Sequence, residues 1–307
     1  MSLFDAFRYD GKRAVVVGGA TGIGAAVAHV VKDAGAEVVV MDRAAVLQPG
    51  VRAIRLDLAE RASIDAAVDA CGGPVHALFS CAGVADGTPG IERINFVGHR
   101  HLIDRMVAHD MLPRGSAICM ISSVAGIGWE PILDRLSEVL DLTDFDAAAR
   151  WFVDHGRANY MTTKQVIAAY VAREAFTFLK RGIRINAISP GATDTPLAQA
   201  NKETWLGFGT DYRTAVGIKP FTPVEQAYPL VFLCSDAAAA VTGITITSDA
   251  GWLSSSITKS FAGGTFFAKV LLGRSIWTRL VRTLGQKMST GAGAKFFNRR
   301  TFLKHEQ

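Results

Sequence analysis

Apolar residues in this chain fall into short β-branched runs separated by stretches with helical spacing. Ala14-Val15-Val16-Val17 is the first run, and it leads straight into glycines at positions 18, 22 and 24 and then into Ala25-Ala26-Val27-Ala28-His29-Val30-Val31. That order predicts a buried strand, a tight turn and a helix. Further strands are expected over residues 36–42, 51–56, 74–81, 116–123, 184–189 and 243–248, with helices over 61–70, 91–109, 158–180 and 226–234. Strands alternating with helices imply parallel strands joined by right-handed crossovers and covered on both faces. The expected fold class is α/β, a doubly wound parallel sheet of about seven strands, with ligands at the carboxyl ends of the strands. A membrane span is the competing reading of the first segment, because Ala14 to Val31 carries no Asp, Glu, Lys or Arg over eighteen residues. Four glycines interrupt that span and no second stretch of similar length follows, so strand, turn and helix is preferred.

The glycines bring the first chemistry. A Cβ at such a turn would keep the backbone away from a pyrophosphate, and the following helix offers unpaired N–H groups to the anion. The spacing Gly18-x-x-x-Gly22-x-Gly24 differs from the G-x-G-x-x-G of the common dinucleotide fingerprint. Asp42 ends the second predicted strand eighteen positions after Gly24. A carboxylate there accepts hydrogen bonds from both hydroxyls of an adenosine ribose and repels the extra phosphate of NADP, so it points to NAD. Arg43 leaves the other cofactor open, since a guanidinium beside it is able to pair with a 2′-phosphate. An ordinary solvated turn is the plain reading of the same two residues.

Composition narrows the class without changing it. With 307 residues and about half of them apolar, the chain fits one α/β domain with additions. The four cysteines, at 71, 81, 119 and 234, form no C-x-x-C pair, which argues against a zinc site or a disulfide framework and for reduced thiols in a cytoplasmic protein. The first residues lack the apolar core of a secretory leader. The net charge of +5 is unevenly spread: residues 252–307 hold ten Lys or Arg and one acid, Glu306, and the rest of the chain holds 23 basic against 27 acidic residues. An acidic body does not suit nucleic acid, and the basic extension has a separate task.

Tyr160 and Lys164 are four apart in a predicted helix and so project side by side. An ammonium beside a phenol favours the phenolate, which suits proton exchange with an alcohol or carbonyl. Taken alone, such a pair is commonly a helix-surface contact.

The set of motifs resembles the nicotinamide-dependent short-chain dehydrogenases/reductases over residues 12–252. The glycine turn at Gly18, Gly22 and Gly24 matches, as do Asp57, the segment Ser80-Cys81-Ala82-Gly83, Asn95, Ser123, the pair Tyr160 and Lys164, Pro190-Gly191 and Thr195. Val17, Ser80-Cys81 and Asp249-Ala250-Gly251 depart from the family's usual Thr, Asn-Asn and Asp-Gly-Gly, which bears on loop bracing. The resemblance implies a Rossmann-type domain over residues 1–252 and a catalytic set of Asn95, Ser123, Tyr160 and Lys164. In that set Tyr160 is the general acid/base and Lys164 lowers its pKa and bonds the nicotinamide ribose. Ser123 polarises the substrate oxygen, and Asn95 anchors a water leading from Lys164. NAD is the implied cofactor. Its pyrophosphate falls to the turn of Gly18, Thr21, Gly22, Ile23 and Gly24, its adenosine ribose to Asp42 and its nicotinamide carboxamide to Thr195. Asp57, Leu58, Cys81, Ala82, Gly83, Tyr160, Lys164, Pro190, Gly191 and Thr193 complete the implied cofactor-binding set. No metal is implied.

Ser123 and Tyr160 are 37 positions apart, where about a dozen is usual in the family. The excess, residues 129–157, carries two helical patterns and resembles an insert of the bacterial 3α-hydroxysteroid dehydrogenase/carbonyl reductase subgroup; coniferyl-type alcohol dehydrogenases share much of the pattern. It reads equally as an oligomer interface or as the flank of a lid. The lid itself is expected over residues 196–222, where Leu197, Trp205, Leu206, Phe208 and Phe221 suit a hydrophobic alcohol or ketone, a hydroxysteroid among them, better than a charged substrate. A homodimer or homotetramer is expected from the family. Residues 253–307 fall outside the resemblance. Apolar positions from Phe266 to Met288 recur at steps of three and four between Lys and Arg residues, predicting a basic amphipathic helix that docks on the enzyme or lies on an anionic membrane surface. A non-catalytic NAD-binding module is the alternative function, and the filled catalytic positions speak against it.

Overall fold

A computed structural model describes residues 2–272. Seven strands make one parallel sheet in the order β3-β2-β1-β4-β5-β6-β7: β1 Arg13–Val17, β2 Glu37–Asp42, β3 Arg52–Arg55, β4 Ala77–Ser80, β5 Ala117–Ile121, β6 Arg184–Pro190 and β7 Thr245–Ser248. β1 pairs with both β2 and β4, Val17 lying opposite Met41 on one side and Ser80 on the other. The chain therefore reverses direction across the sheet between β1 and β4. Crossovers diverge there, and a crevice opens at the strand ends.

The alternation of strand side chains builds two cores. Val15, Val17, Leu78 and Ile118 face one side, and Ala14, Val16, Phe79 and Cys119 face the other. Both faces are dry, which is why the strands read as continuous apolar runs. Helices α1 (Gly22–Asp33) and α10 (Pro223–Cys234) cover the second face; α2 (Arg61–Cys71), α3 (Gly98–Ala108) and α6 (Tyr160–Lys180) cover the first. Ala14 to Val31 is divided between β1 and α1, and among the described residues no helix is long and apolar enough to cross a membrane. The helix expected over residues 91–109 runs from 91 to 108, with a π-helical turn, Arg93–Val97, set into it ahead of α3.

The insert forms α4 (Leu133–Asp141) and α5 (Phe145–Asp154). Leu136, Val139, Phe145 and Phe152 join the first core, where the Phe152 ring lies 6.3 Å from that of Phe96. The buried Arg100 guanidinium donates to the carbonyls of Val139, at 3.1 Å, and Leu142. Residues 129–157 are thus part of the body, and none of them lines the main cavity.

Beyond β6 the chain makes the short helices α7 (Pro196–Ala200), α8 (Lys202–Trp205) and α9 (Thr210–Val216), and after β7 come α11 (Trp252–Thr258) and α12 (Thr265–Leu271). The start of the basic extension therefore docks on the enzyme: Ala268 is buried with Val124, Tyr212, Trp252 and Leu253. The remainder of the helix expected to Met288 lies outside the described residues.

Candidate active site

One cavity of about 610 Å³ runs along the carboxyl ends of β1, β2, β4, β5 and β6. Its cofactor end is made by the glycine turn. Gly18 has φ +81°, and a Cβ on it would stand 2.4 Å from the backbone nitrogen of Ala82; one on Gly24 would stand 2.1 Å from the Gly18 carbonyl oxygen. The turn is this tight because it packs backbone to backbone on the Cys81–Gly83 segment, whose Cys81 N–H donates to the Val17 carbonyl at 2.8 Å. That contact braces the loop despite Ser80-Cys81 in place of two asparagines.

Gly22, with φ +59°, opens α1, and a Cβ there would point across the cavity at Thr195, 3.4 Å away. The N-cap, Thr21, makes no side-chain hydrogen bond to the first turn, so the helix's initial N–H groups face the cavity beside Ile23 and Gly24. This cradle fits a pyrophosphate.

Asp42, at the end of β2, accepts from Ala20 N–H at 2.9 Å through one carboxylate oxygen and from Ala44 N–H at 2.8 Å through the other. The carboxylate is fixed at the rim with lone pairs to spare. Arg43 reaches toward Asp57, 3.9 Å away, with its side chain 67% exposed. Asp57 is held by its own turn, accepting from Ala59 N–H at 3.0 Å, and with Leu58 it lines the same end of the cavity.

At the other end Tyr160, Lys164 and Ser123 converge. Asn159 caps α6 by accepting from Thr162 N–H at 2.9 Å, and one position later Tyr160 enters the cavity with Lys164 one turn behind. Lys164 donates to the Ile121 carbonyl at 2.8 Å, and its ammonium lies 5.5 Å from the centroid of the Tyr160 ring. Ser123 follows β5; its hydroxyl accepts from Ala125 N–H at 3.2 Å and favours the ionised phenol of Tyr160. Burial dominates both titrating groups. It pushes Tyr160 up to about 12, against the influence of Ser123 and with the Asp86 charge, and it pulls Lys164 down to about 8. In this arrangement desolvation outweighs any lowering of the phenol by Lys164.

Ser123, Tyr160, Lys164 and every expected cofactor residue line this one cavity, Cys81, Ala82, Gly83, Pro190, Gly191, Thr193 and Thr195 included. Asn95 does not. Fully buried in the π-helical turn, it accepts from Val84 N–H at 2.8 Å and donates to the Val84 carbonyl and to Thr163 Oγ1. Its amide holds the wall in register rather than facing the cavity. Thr195 lines the cavity while its hydroxyl caps α7, accepting from Ala198 N–H at 3.1 Å.

Of the expected lid residues, Leu197, Trp205 and Phe208 line the cavity, whereas Leu206 and Phe221 do not. Phe221 is engaged by its backbone, which bridges to Thr193 and donates to the Ala192 carbonyl at 2.9 Å. Arg213, buried, donates to the carbonyls of Phe208 and Leu206 and so fixes the lid's turn. Trp205 lies over Tyr160, ring centroids 4.8 Å apart. Sequence reasoning passed over Asp86, which accepts the Tyr160 N–H at 2.6 Å, and placed no cavity role on Phe267 or Leu271 of α12, both of which line it. Only the tertiary fold brings these to the site.

Among the described residues no group of His, Cys, Asp and Glu is placed to hold a metal ion.

A family model described as enoyl-(acyl carrier protein) reductase, of the short-chain alcohol dehydrogenase class, matches residues 18–253. The 3-alpha-hydroxysteroid dehydrogenase/carbonyl reductase of Comamonas testosteroni is 30% identical over 255 residues, covering 77% of this chain and 95% of that protein. The coniferyl-alcohol dehydrogenase of a Pseudomonas strain is 27% identical over 249 residues, covering 78% of this chain and 96% of that protein. Among solved structures, the 3-alpha-hydroxysteroid dehydrogenase of Pseudomonas sp. B-0831, complexed with NADH, superimposes with a TM-score of 0.65 at 25% identity, covering 81% of this chain and 99% of that one. With the glycine cradle, the Ser123, Tyr160 and Lys164 constellation and this likeness over most of its length, the chain belongs to the short-chain dehydrogenase/reductase family of nicotinamide-dependent oxidoreductases.

Proposed function

We propose that this oxidoreductase uses NAD(H) to interconvert a hydrophobic secondary alcohol and its ketone, a 3α-hydroxysteroid being one candidate and an aryl or allylic alcohol another. The observation that carries the reading is the joining of Tyr160, Ser123 and Lys164 to an apolar end walled by Leu197, Trp205 and Phe208 within one cavity. A charged substrate would find few partners there, and burying it unpaired is costly.

The residues present fit a dinucleotide. Gly22 and Gly24 at the start of α1 would seat the pyrophosphate, Asp42 the adenosine ribose, Asp57 and Leu58 the adenine, and Lys164 the second ribose, with Pro190, Gly191, Thr193 and Thr195 beside the nicotinamide. The nicotinamide, when bound, supplies the acceptor or donor of hydride. Ser123 holds the substrate oxygen and Tyr160 exchanges its proton: in oxidation the phenolate takes the hydroxyl proton as the carbinol carbon gives up hydride, and in reduction the phenol returns it to the carbonyl oxygen. Lys164, cationic, with its ammonium 5.5 Å from the centre of the Tyr160 ring, stabilises the phenolate. The fixed Asp42 carboxylate and the turn of Arg43 toward Asp57 support NAD over NADP.

An oligomer, dimer or tetramer, in the cytoplasm completes the proposal, and contact of the basic extension with a membrane surface stands beside it as a proposal on the sequence of residues 253–307. NADH absorbance followed with steroid, aryl and long-chain alcohol panels, NADP run in parallel, tests the reading. Turnover of sugars or hydroxy acids in preference to all three panels, or faster turnover with NADP, would sink it.

A further inference from the structure

The substrate end of the cavity is closed by a helix outside the family pattern. α12 lies past residue 253, where the family model stops, yet its Phe267 and Leu271 line the cavity with Trp205 and Phe208. Its seat is built. Ala268 is 1% exposed, in a cluster with Val124 and Trp252. The Phe267 ring meets that of Phe208 edge-on, centroids 5.7 Å apart, and Phe208 meets Trp252 at 4.7 Å. Each end of the helix is held by a close approach that only glycine permits. A Cβ on Gly264 would stand 1.9 Å from Ser256 Oγ; one on Gly128, at φ +78°, would stand 1.6 Å from the Leu271 carbonyl oxygen. The last turn of α12 therefore rests on the loop that leaves the catalytic Ser123.

Phe267 remains 52% exposed although Ala268 beside it is fully covered. A well-seated helix that turns large apolar side chains toward a cavity is suited to a ligand rather than to the core. We infer that α12 is a specificity wall. Phe267 and Leu271 contact the apolar carbon skeleton of the substrate, so the enzyme selects polycyclic or similarly extended alcohols and ketones over single-ring ones. The inference rests on the oxidoreductase reading above and names the substrate class within it.

The test uses full-length protein and two secondary alcohols with the same reacting group, cyclohexanol and decahydro-2-naphthol, with NADH affinity measured by fluorescence. Phe267→Ala and Leu271→Ala are each expected to lower the kcat/KM ratio of the two-ring to the one-ring substrate by about tenfold, with NADH affinity at the wild-type value. Gly128→Ala, which displaces the last turn, should give the same pattern. Lys269→Ala, exposed on the same helix and not lining the cavity, should leave the ratio alone. Equal losses on both substrates, or an unchanged ratio in the Phe267 and Leu271 variants, would overturn the inference. If the wild type turns over neither alcohol, the substrate reading fails by itself, and the wall is then read by binding of neutral N-phenyl-1-naphthylamine to the NADH-loaded protein. The Phe267 and Leu271 variants should bind that probe about tenfold more weakly, and wild-type affinity in both would end the inference.

Discussion

The carboxylate of Asp86 accepts the backbone N–H of Tyr160 at 2.6 Å. α6 is thereby held at its first residue from across the cavity, in addition to its own Asn159 cap. The same contact places a negative charge beside the phenol, and that charge adds to burial in pushing Tyr160 up to about 12. Ser123 opposes that rise, and the Lys164 ammonium lies 5.5 Å from the centre of the ring.

Alcohol oxidation needs the phenolate, so its rate should climb with pH into the alkaline range. Asp86→Asn keeps an acceptor for the N–H and removes the charge. The rising limb of kcat/KM against pH is expected to move toward neutral by about 0.5–1 pH unit, while Asp86→Ala lowers kcat because the helix start is loosened. Superimposable profiles for wild type and Asp86→Asn would show that the carboxylate has no electrostatic part.

Cofactor choice is expected to follow the charge on Asp42. Asp42→Asn retains an oxygen for Ala20 or Ala44 N–H and removes the repulsion of a 2′-phosphate, leaving the exposed Arg43 free to pair with it. The ratio of kcat/KM with NADP to that with NAD should rise by about 10- to 100-fold. No change in that ratio would mean that selection lies elsewhere on the rim.

The parts legible in sequence were those with strictly local causes. β-branched runs, the glycine turn and the four-residue step from Tyr160 to Lys164 each need only neighbours in the chain, and the seven-strand sheet with its cavity follows from them. Asn95 shows the limit. Its position in the motif order was readable, but its side-chain partners, Val84 and Thr163, were not, because a π-helical turn set into the helix and the tertiary fold bring them to it. The same holds for Leu206 and Phe221, whose apolar character says nothing of which way a lid turns. Asp86 carries no pattern at all, since its role depends on Tyr160, 74 positions away; the apolar spacing that includes Phe267 and Leu271 marks a helix face but not the cavity that face meets.

Ala250 adopts φ +54° at a position where the family has glycine. Its neighbours impose the conformation: Asp249 accepts from Gly251 N–H at 2.8 Å and from Leu253 N–H at 2.9 Å, and the Tyr212 hydroxyl donates to the Ala250 carbonyl. A left-handed conformation costs a non-glycine residue about 1–2 kcal/mol, and glycine returns about 0.5–1 kcal/mol of that as unfolded-state entropy. Ala250→Gly is thus expected to stabilise the protein by about 0.5–1 kcal/mol, read as a higher urea midpoint at unchanged slope. A lower midpoint would refute the strain.

His99 lies in the core behind the site, 1% exposed, with Nε2 3.0 Å from the Ala82 carbonyl oxygen. A carbonyl only accepts, so Nε2 carries the hydrogen and Nδ1 is bare, with no partner among the described residues. Protonation would bury a cation near Lys164, and desolvation accordingly pulls the imidazole down to about 4, against the Ala82 hydrogen bond. The unfolded imidazole binds a proton below about pH 6.5, whereas the folded one does so only near pH 4. Between those values the unfolded chain holds more protons, so this residue's contribution falls as pH falls, by about 3 kcal/mol in all. His99→Gln keeps a donor for Ala82 without a titrating group. Urea midpoints measured from pH 7 to pH 4 should therefore drop more steeply for wild type than for His99→Gln, and parallel slopes would place the acid sensitivity of this fold in other residues.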